Sequence, residues 1–219
     1  MPVTISGSGT ITGIATGGLP DGSIASGDLA DNAVTAGKLA SSLDLTGKTV
    51  TLPSGVGGKI LQVQEFTLTT LPQTNSQDSF VDVTDWSNTI TPSSSSSKIL
   101  IAISIGKVSK SDDNHRNVLF RIMRDIGGAG YNAVGVGAAA GSRLQASFAI
   151  WNFISDYGVS GSYMFVDSPS TTDICTYKLQ WSAQAGETFY LNRSSGDTNS
   201  ADTPHARTMS TMYLMEVAA

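Results

Sequence analysis

The feature that most constrains the fold is a series of short runs of β-branched and aromatic residues between residues 59 and 219, separated by clusters of Pro, Asn, Asp, Gly or Ser. About ten such runs fit into this part of the chain, a spacing typical of an all-β sandwich or barrel. Only 14% of the residues are charged, and Ser, Thr, Gly and Ala fill their place, which disfavours a helical bundle. The predicted strands cover residues 60–68, 80–83, 99–108, 118–124, 131–136, 148–154, 163–166, 174–181, 189–191 and 209–217.

Two of these runs indicate which side chains point into the core. Residues 99–105 are apolar on nearly both faces, which is expected of a central strand buried from two sides. The run 174–181 alternates instead, so that Cys175, Tyr177, Leu179 and Trp181 share one face. We expect that face to lie in the core and the opposite face to be wet.

The last predicted strand is apolar on both faces. Met209, Tyr213, Met215 and Val217 have one parity, and Met212 and Leu214 have the other. An edge strand of this kind invites aggregation, so we expect it to be central or covered by a neighbouring subunit. We favour a subunit interface that includes Met212 and Leu214.

Residues 1–58 form a different segment, without any aromatic residue and ending in the Gly-rich stretch 55–58. A domain boundary is therefore expected there, with a second domain over residues 59–219. A ten-residue near-repeat, DGSIASGDLA followed by DNAVTAGKLA, occupies residues 21–40. So few aliphatic side chains cannot offset the entropy of ordering the segment within one chain, but three copies winding about one axis can bury them. This predicts a trimer interface at Ile24, Leu29, Val34 and Leu39; the alternative is a disordered linker.

Upstream of the near-repeat, isolated aliphatic residues stand among Ser, Gly and Thr with no polar face to match them. We expect these side chains to contact an external apolar surface. They are Val3, Ile5, Ile11 and Ile14.

Motifs for catalysis or cofactor binding are weak. Residues 46–49, TGKT, copy the end of a phosphate-binding loop, but the leading Gly is missing and a strand-like run follows where a helix is required. His115 and His205 are isolated, and Cys175 falls on the predicted core face. We therefore expect no catalytic, cofactor or metal site, and no enzyme.

Charge and hydropathy also bear on the partners. The net charge of −5 offers no basic stripe for a phosphate backbone, so we expect no nucleic-acid partner. The sequence shows no secretion signal and no apolar window long enough for a membrane-spanning helix, so we expect no membrane insertion.

Polar loops on the predicted scaffold are the remaining candidates for recognition. They are residues 110–117 with His115 and Arg116, residues 155–158 with Tyr157, and residues 192–207 with Arg193, Asp197 and His205. Tyr, Asn, Asp and Arg side chains on loops of a rigid β scaffold suit hydroxyl-rich glycans. Plain solvated connections are an equal alternative for any single loop.

Several stretches resemble tail-fibre and other fibre-like virion proteins of phages, notably phages of cyanobacteria and other aquatic bacteria. They are GSGTITGI at residues 7–14, LPDGSI at 19–24, DLA at 28–30, NAVT at 32–35, KL at 38–39, SFVDVT at 79–84, ITPSSSSSKIL at 90–100 and MSTMYLME at 209–216. The middle of the chain, from about residue 112 to residue 170, carries no motif of this kind.

This resemblance implies a homotrimer located on the virion, on the tail or the capsid exterior. Residues 1–58 would dock on other virion proteins and trimerise, and a jelly-roll-like β-sandwich would face the host or the medium. The chain departs from longer family members by having almost no shaft. Three functions are therefore open: a short tail fibre that adsorbs to host surface glycan, a capsid decoration, cement or head-fibre protein, and a polysaccharide-degrading enzyme.

Overall fold

The computed structural model describes residues 59–152, 156–184 and 186–219, together with Gly27, Val34 and Thr35. Eleven strands run through the described part of the chain. They are β1 (Ile60–Leu68), β2 (Gln73–Thr74), β3 (Val81–Ile90), β4 (Lys98–Lys110), β5 (Arg116–Ile126), β6 (Asn132–Val134), β7 (Phe148–Asn152), β8 (Val159–Asp167), β9 (Cys175–Ala183), β10 (Phe189–Leu191) and β11 (Ser210–Val217). A short 3₁₀ turn, Thr203–His205, precedes β11. Within these residues no helix is long and apolar enough to cross a membrane.

The strands form two antiparallel sheets. Sheet A has the order β1-β11-β4-β10-β2, and β8 also pairs with β4. Sheet B has the order β3-β9-β5-β6, and β7 also pairs with β5. The two sheets pack face to face around one apolar core, so the predicted all-β sandwich is confirmed.

Period-two alternation determines which side chains fill the core. Ile99, Ile101, Ile103 and Ile105 of β4 point inward and are almost fully buried, and β4 lies between β11 and β8 as expected of a central strand. The expected burial of both faces is not observed, because Leu100 and Ala102 on the outer face are only partly buried and Ser104 is exposed. On β9 the predicted core face is also observed, because Cys175, Tyr177, Leu179 and Trp181 are buried. The largest buried rings are Trp86, Trp181, Tyr177, Phe120 and Phe189.

The prediction that Met212 and Leu214 form a subunit interface is wrong. Strand β11 is not an edge strand, since it pairs with β1 on one side and β4 on the other. Both side chains have 0% exposure and belong to the chain's own core. The chain supplies the burial that the sequence pattern suggested would come from a partner.

The other predicted contact residues of the N-terminal segment fall mostly outside the described residues. This applies to the domain 1–58 and to Val3, Ile5, Ile11, Ile14, Ile24, Leu29 and Leu39. Val34 is described and is 51% exposed. The attachment and trimer roles of this segment stay predictions.

Candidate functional site

The six predicted recognition residues lie at one end of the sandwich, which we call the loop end; five are on loops, and Arg116 is the first residue of β5. The loop end is formed by residues 111–115 between β4 and β5, residues 156–158 before β8, and residues 192–209 between β10 and β11. These loops meet because β10 pairs with the C-terminal end of β4, at Val108–Lys110, and because β8 and β11 begin opposite Val108 and Ser104 of the same strand. The sheet topology therefore gathers segments that are far apart in sequence.

Asn192 anchors the longest of these loops. Its side chain is fully buried, and its Nδ2 donates hydrogen bonds to the carbonyl oxygens of Leu68 at 2.9 Å and Thr70 at 3.1 Å. Its Oδ1 accepts a hydrogen bond from Ser210 Oγ at 2.7 Å. The residue has a positive φ of 61°, a conformation that Asn tolerates better than most residues. The loop thus begins from a rigid point in the core.

Arg193 fixes the next turn of the loop. Its guanidinium stacks on the Tyr190 ring at 4.1 Å and donates hydrogen bonds to the carbonyl oxygens of Ser194 and Ser195. A further hydrogen bond of 2.9 Å reaches Gln73 Oε1. These contacts make Arg193 a bracing residue of the loop end.

Asp197 and His205 line one polar cavity of about 350 Å³ together with Thr198, Asn199, Ser200 and Arg207. Arg207 donates two hydrogen bonds to the Asp197 carboxylate, at 3.1 Å and 2.7 Å. The pair lowers the pKa of Asp197 and raises that of Arg207. The imidazole of His205 is 3.4 Å from Ser194 Oγ. Hydroxyl, amide and charged groups therefore converge on one concave surface, which suits a hydroxyl-rich ligand.

The short loop 156–158 is tied to the long one. Ser195 Oγ donates a 2.8 Å hydrogen bond to Asp156 Oδ1, and Lys107 Nζ donates one to the carbonyl oxygen of Pro204. Burial lowers the pKa of the Lys107 ammonium. Tyr157 follows Asp156 in this loop and is 66% exposed. The structure thus brings Tyr157, Arg193, Asp197 and His205 into one loop cluster.

His115 and Arg116 lie in a neighbouring cluster around a buried carboxylate. Arg116 Nε is 3.7 Å from Glu187 Oε1, and burial together with the nearby Asp112 carboxyl raises the pKa of Glu187. Lys110 is fully buried and donates a hydrogen bond to Asp112, which holds the pKa of Asp112 well below its usual range. Hydrogen bonds and ion pairs of charged side chains therefore hold the loop between β4 and β5 in place.

Trp151 was missed by the sequence reasoning, although it adjoins His115. The two rings contact edge to face with centroids 6.5 Å apart, and the indole is 53% exposed. Trp151 falls within the predicted strand 148–154, and a period-two pattern alone does not say which of its side chains face solvent.

The outer face of sheet A carries a second notable surface, which we call the outer apolar face. Cross-strand pairing aligns Val63, Met215, Leu100 and Val166 in one row over β1, β11, β4 and β8. The next row contains Glu65, Tyr213, Ala102 and Met164. Val63, Met164 and Val166 are more than half exposed. Contiguous exposed apolar surface of this kind is typical of contact surfaces.

Three features of the described part of the chain bear on metal and thiol chemistry. No cluster of three or more His, Cys, Asp or Glu side chains that could hold a metal is found among those residues. Cys175 is buried, and burial raises the pKa of its thiol, so it packs as a small apolar side chain. Asp112, Asp113 and His115 belong to a loop closed by hydrogen bonds within it, such as that from the Asn114 amide to Asp112 Oδ1 at 2.9 Å.

Comparisons with known proteins give no family for this chain. No family model matches the sequence, and no curated protein matches it. Similar solved structures include the infectious bursal disease virus VP2 subviral particle (14% identity, TM-score 0.30) and the infectious bursal disease virus Gx strain (14% identity, TM-score 0.31). The alignments cover 83% of this chain and 46% and 45% of those chains, so this chain spans less than half their length. Both neighbours are viral, but at TM-scores this low the likeness carries no argument about function.

Proposed function

We propose that this protein is a structural component of a virus particle, a short phage fibre that adsorbs to a host surface glycan through the loop end. The observation that carries the proposal is the loop end itself. Its loops are rich in hydroxyl, amide and charged side chains, the longest is anchored in the core by Asn192 and tied to the 156–158 loop by the contact of Ser195 with Asp156, and that longest loop forms a polar cavity of about 350 Å³. The resemblance of both ends of the sequence to fibre-like virion proteins supports the location on a virion.

Bracing of the loops supports recognition because it reduces the entropy that a ligand must overcome. A loop already held by Asn192, Arg193 and the contact of Ser195 with Asp156 loses little freedom on binding. Each site would still be weak, since sugars present few apolar groups. Several copies on one particle would raise the overall affinity through effective concentration.

We also propose that the protein is a homotrimer and that copies of this chain cover the outer apolar face. Four strands about 4.8 Å apart and two side-chain rows about 6.8 Å apart give a surface of roughly 260 Å². A stable interface needs about 800 Å² per partner, so this face can form the apolar centre of a larger contact. The N-terminal segment would supply further contacts, including attachment to other virion proteins.

Adsorption of phage to its host tests the proposal. Added soluble protein should compete with the particle for the cell surface, and antibody against residues 59–219 should lower attachment. If saturating soluble protein leaves the adsorption rate unchanged, the recognition role is wrong.

A capsid decoration, cement or head-fibre role is the second candidate, and the outer apolar face favours it. Such a face suits packing against a protein shell as well as against another copy. Particles that lack the protein should then lose resistance to heat or salt while still adsorbing at the normal rate. For the enzyme alternative we expect no sugar release from host polysaccharide.

A further inference from the structure

Sheet A ends in two long edge strands. In the described part of the chain, β8 pairs with β4 alone and β1 pairs with β11 alone, so most of the sheet has the order β1-β11-β4-β8. Each of these edge strands has nine residues. An edge strand presents a row of backbone N–H and C=O groups that can pair with a strand of another chain.

Strand β8 lacks the usual protections of an edge over most of its length. Proteins block free edges with short strands, Pro, charged side chains or bulges. The strand Val159–Asp167 reads VSGSYMFVD, with no Pro and no charged residue before Asp167. Its pairing with β4 is regular from Gly161 to Asp167. We therefore expect this edge to pair with a further strand.

Strand β1 runs in the direction that such pairing needs. The pairs β1–β11, β11–β4 and β4–β8 are all antiparallel, so β1 and β8 point in opposite directions. Rotation about an axis parallel to the strands keeps these directions, so β8 of one copy meets β1 of the next copy antiparallel. Asn88 Nδ2 donates a 3.1 Å hydrogen bond to the Gln64 carbonyl oxygen of β1, which has a second lone pair for a partner strand.

The outer apolar face favours three copies over two. Pairing of β8 with β8 of a second copy would extend the sheet and leave both outer apolar faces open. Three copies joined from β8 to β1 instead form a closed ring, because a head-to-tail contact closes when its rotation allows. The outer apolar faces then line the interior of the ring. Val63, Met164 and Val166, which are more than half exposed in one chain, become covered.

The dimensions of the sheet fit this ring. Four strands about 4.8 Å apart give each side of a triangle a width of about 19 Å, which places the centre of the triangle about 5.5 Å from each sheet. Stacked sheets lie about 10 Å apart, so the side chains of one sheet fill about 5 Å. Three outer apolar faces therefore fill the interior without leaving a wide channel.

We infer that three copies of this chain form a triangular prism in which β8 of each copy pairs with β1 of the next. The inference rests on the proposed homotrimer. Closure of each side-chain row on itself sets the register, so Val166 lies beside Val63 of the next copy and Met164 lies beside Glu65 of the next copy. The Glu65 carboxylate keeps a partner in its own chain, because Tyr213 Oη donates a 3.0 Å hydrogen bond to it.

Engineered disulfides in the full chain test this pairing. Within one chain Val63 and Val166 lie three strand spacings apart, or about 14 Å, which is too far for a disulfide. The variant with Val63→Cys and Val166→Cys should therefore give a covalent three-chain species under mild oxidation. The matched control, Val81→Cys with Val166→Cys, places one cysteine on the edge strand β3 of sheet B and should give none. The native Cys175 is buried.

Hydrogen exchange gives a second measurement that does not depend on the register. Residues 60–68 and 159–167 should exchange about tenfold or more slowly in the parent protein than in a variant with both Met164→Glu and Val166→Glu, which we expect to dissociate. Strand β9 lies inside sheet B and should exchange equally in both proteins. Circular dichroism of each variant reports whether the sandwich is retained.

Three outcomes would overturn the inference. The first is a parent protein of three chains whose Val63→Cys, Val166→Cys variant gives no covalent three-chain species. The second is a covalent two-chain species as the main product of Val166→Cys alone, which would indicate pairing of β8 with β8. The third is equally slow exchange of residues 159–167 in the dissociated variant, which would show that the same chain covers β8.

Sedimentation of the parent protein distinguishes these failures from failure of the proposed homotrimer. If the parent sediments as three chains and the disulfide or exchange result is negative, the strand pairing is wrong and the homotrimer stands. If the parent sediments as a single chain, the homotrimer itself fails and the prism fails with it.

Discussion

A carboxylate buried beneath sheet A offers the sharpest test of how this sandwich is held together. Glu216 on β11 has 0% exposure and accepts hydrogen bonds from the Ser93 backbone N–H at 2.7 Å, Ser93 Oγ at 2.6 Å and Gln62 Nε2 at 2.6 Å. Burial raises the pKa of Glu216, but hydrogen bonds from Ser93, Gln62 and Ser97 outweigh it and lower the pKa from 4.5 to about 2. The charged form is therefore the stable form in the folded protein.

Replacing Glu216 by Gln keeps the shape and reverses part of the hydrogen bonding. The new amide NH₂ would face donors, so at least one buried donor would lose its acceptor, which costs about 1 to 3 kcal/mol. We expect Glu216→Gln to lower the free energy of unfolding by about 2 to 3 kcal/mol at pH 7, measured by urea denaturation. Glu65→Gln, an exposed carboxylate on the adjacent strand β1, should change it by less than about 0.5 kcal/mol.

The same carboxylate predicts how stability depends on pH. Because the folded pKa lies below the unfolded value, Glu216 contributes its full stabilisation above about pH 4.5 and loses it as the pH falls toward 2. A shift from 4.5 to about 2 corresponds to at most about 3 kcal/mol. The stability gap between the parent and Glu216→Gln should therefore narrow between pH 5 and pH 2. A gap of the same size at both pH values, or no gap at pH 7, would refute this reasoning.

Three further predictions concern the core and the loop end. Leu214→Ala should lower the free energy of unfolding by about 2 to 5 kcal/mol at any protein concentration, because Leu214 is buried within one chain. A loss of stability that is seen only at low protein concentration would contradict this. Tyr177→Phe should lower the free energy of unfolding by about 1 to 2 kcal/mol in the same assay, because the buried hydroxyl donates a 2.7 Å hydrogen bond to Asp167. The same carboxylate accepts hydrogen bonds from Arg124. An unchanged urea midpoint would count against this prediction. Asn192→Ala should lower the free energy of unfolding by about 2 to 3 kcal/mol and should speed proteolysis between residues 193 and 207. Cleavage at an unchanged rate would show that Asn192 does not anchor the loop.

The sequence predicts the regular parts of the fold well where alternation and burial agree. Strand β9 is the clear case, since Cys175, Tyr177, Leu179 and Trp181 follow strict period two and are all buried. Strand β3 shows where the pattern fails. Its inward residues Val83, Trp86 and Ile90 are three and four positions apart, because the register shifts between Asp82 and Ser87 and Asp85 has a φ of 62°. Such a bulge breaks the alternation, so the sequence predicts only the first part of this strand.

Strand β11 shows a second limit to predicting the fold from sequence. An apolar pattern on both faces of β11 indicates that both are covered to some degree, but it does not say by what. The chain itself buries Met212 and Leu214, and only the face with Tyr213 and Met215 is left partly open. Sheet order determines this result, and it depends on pairings between residues more than 100 positions apart, such as Tyr213 with Ala102.

The candidate site was predictable in its loops but not in its geometry. Residue types alone pointed to Tyr157, Asp197 and His205, and the structure places them at one end of the sandwich. Trp151 could not be found in this way, because its exposure depends on which strands are neighbours and which parity faces outward. Arg193 was predicted for recognition, but its stacking on Tyr190 and its carbonyl contacts brace the loop.

Association of the full chain through the outer apolar face is the claim on which the fibre account most depends, and sedimentation equilibrium tests it directly. The account predicts a particle of three chains of 22.8 kDa each, which dissociates when Met164 and Val166 are both replaced by Glu. The same double replacement should leave the unfolding of the sandwich cooperative, since both side chains are more than half exposed. A parent protein that sediments as a single chain at micromolar concentration would contradict the account.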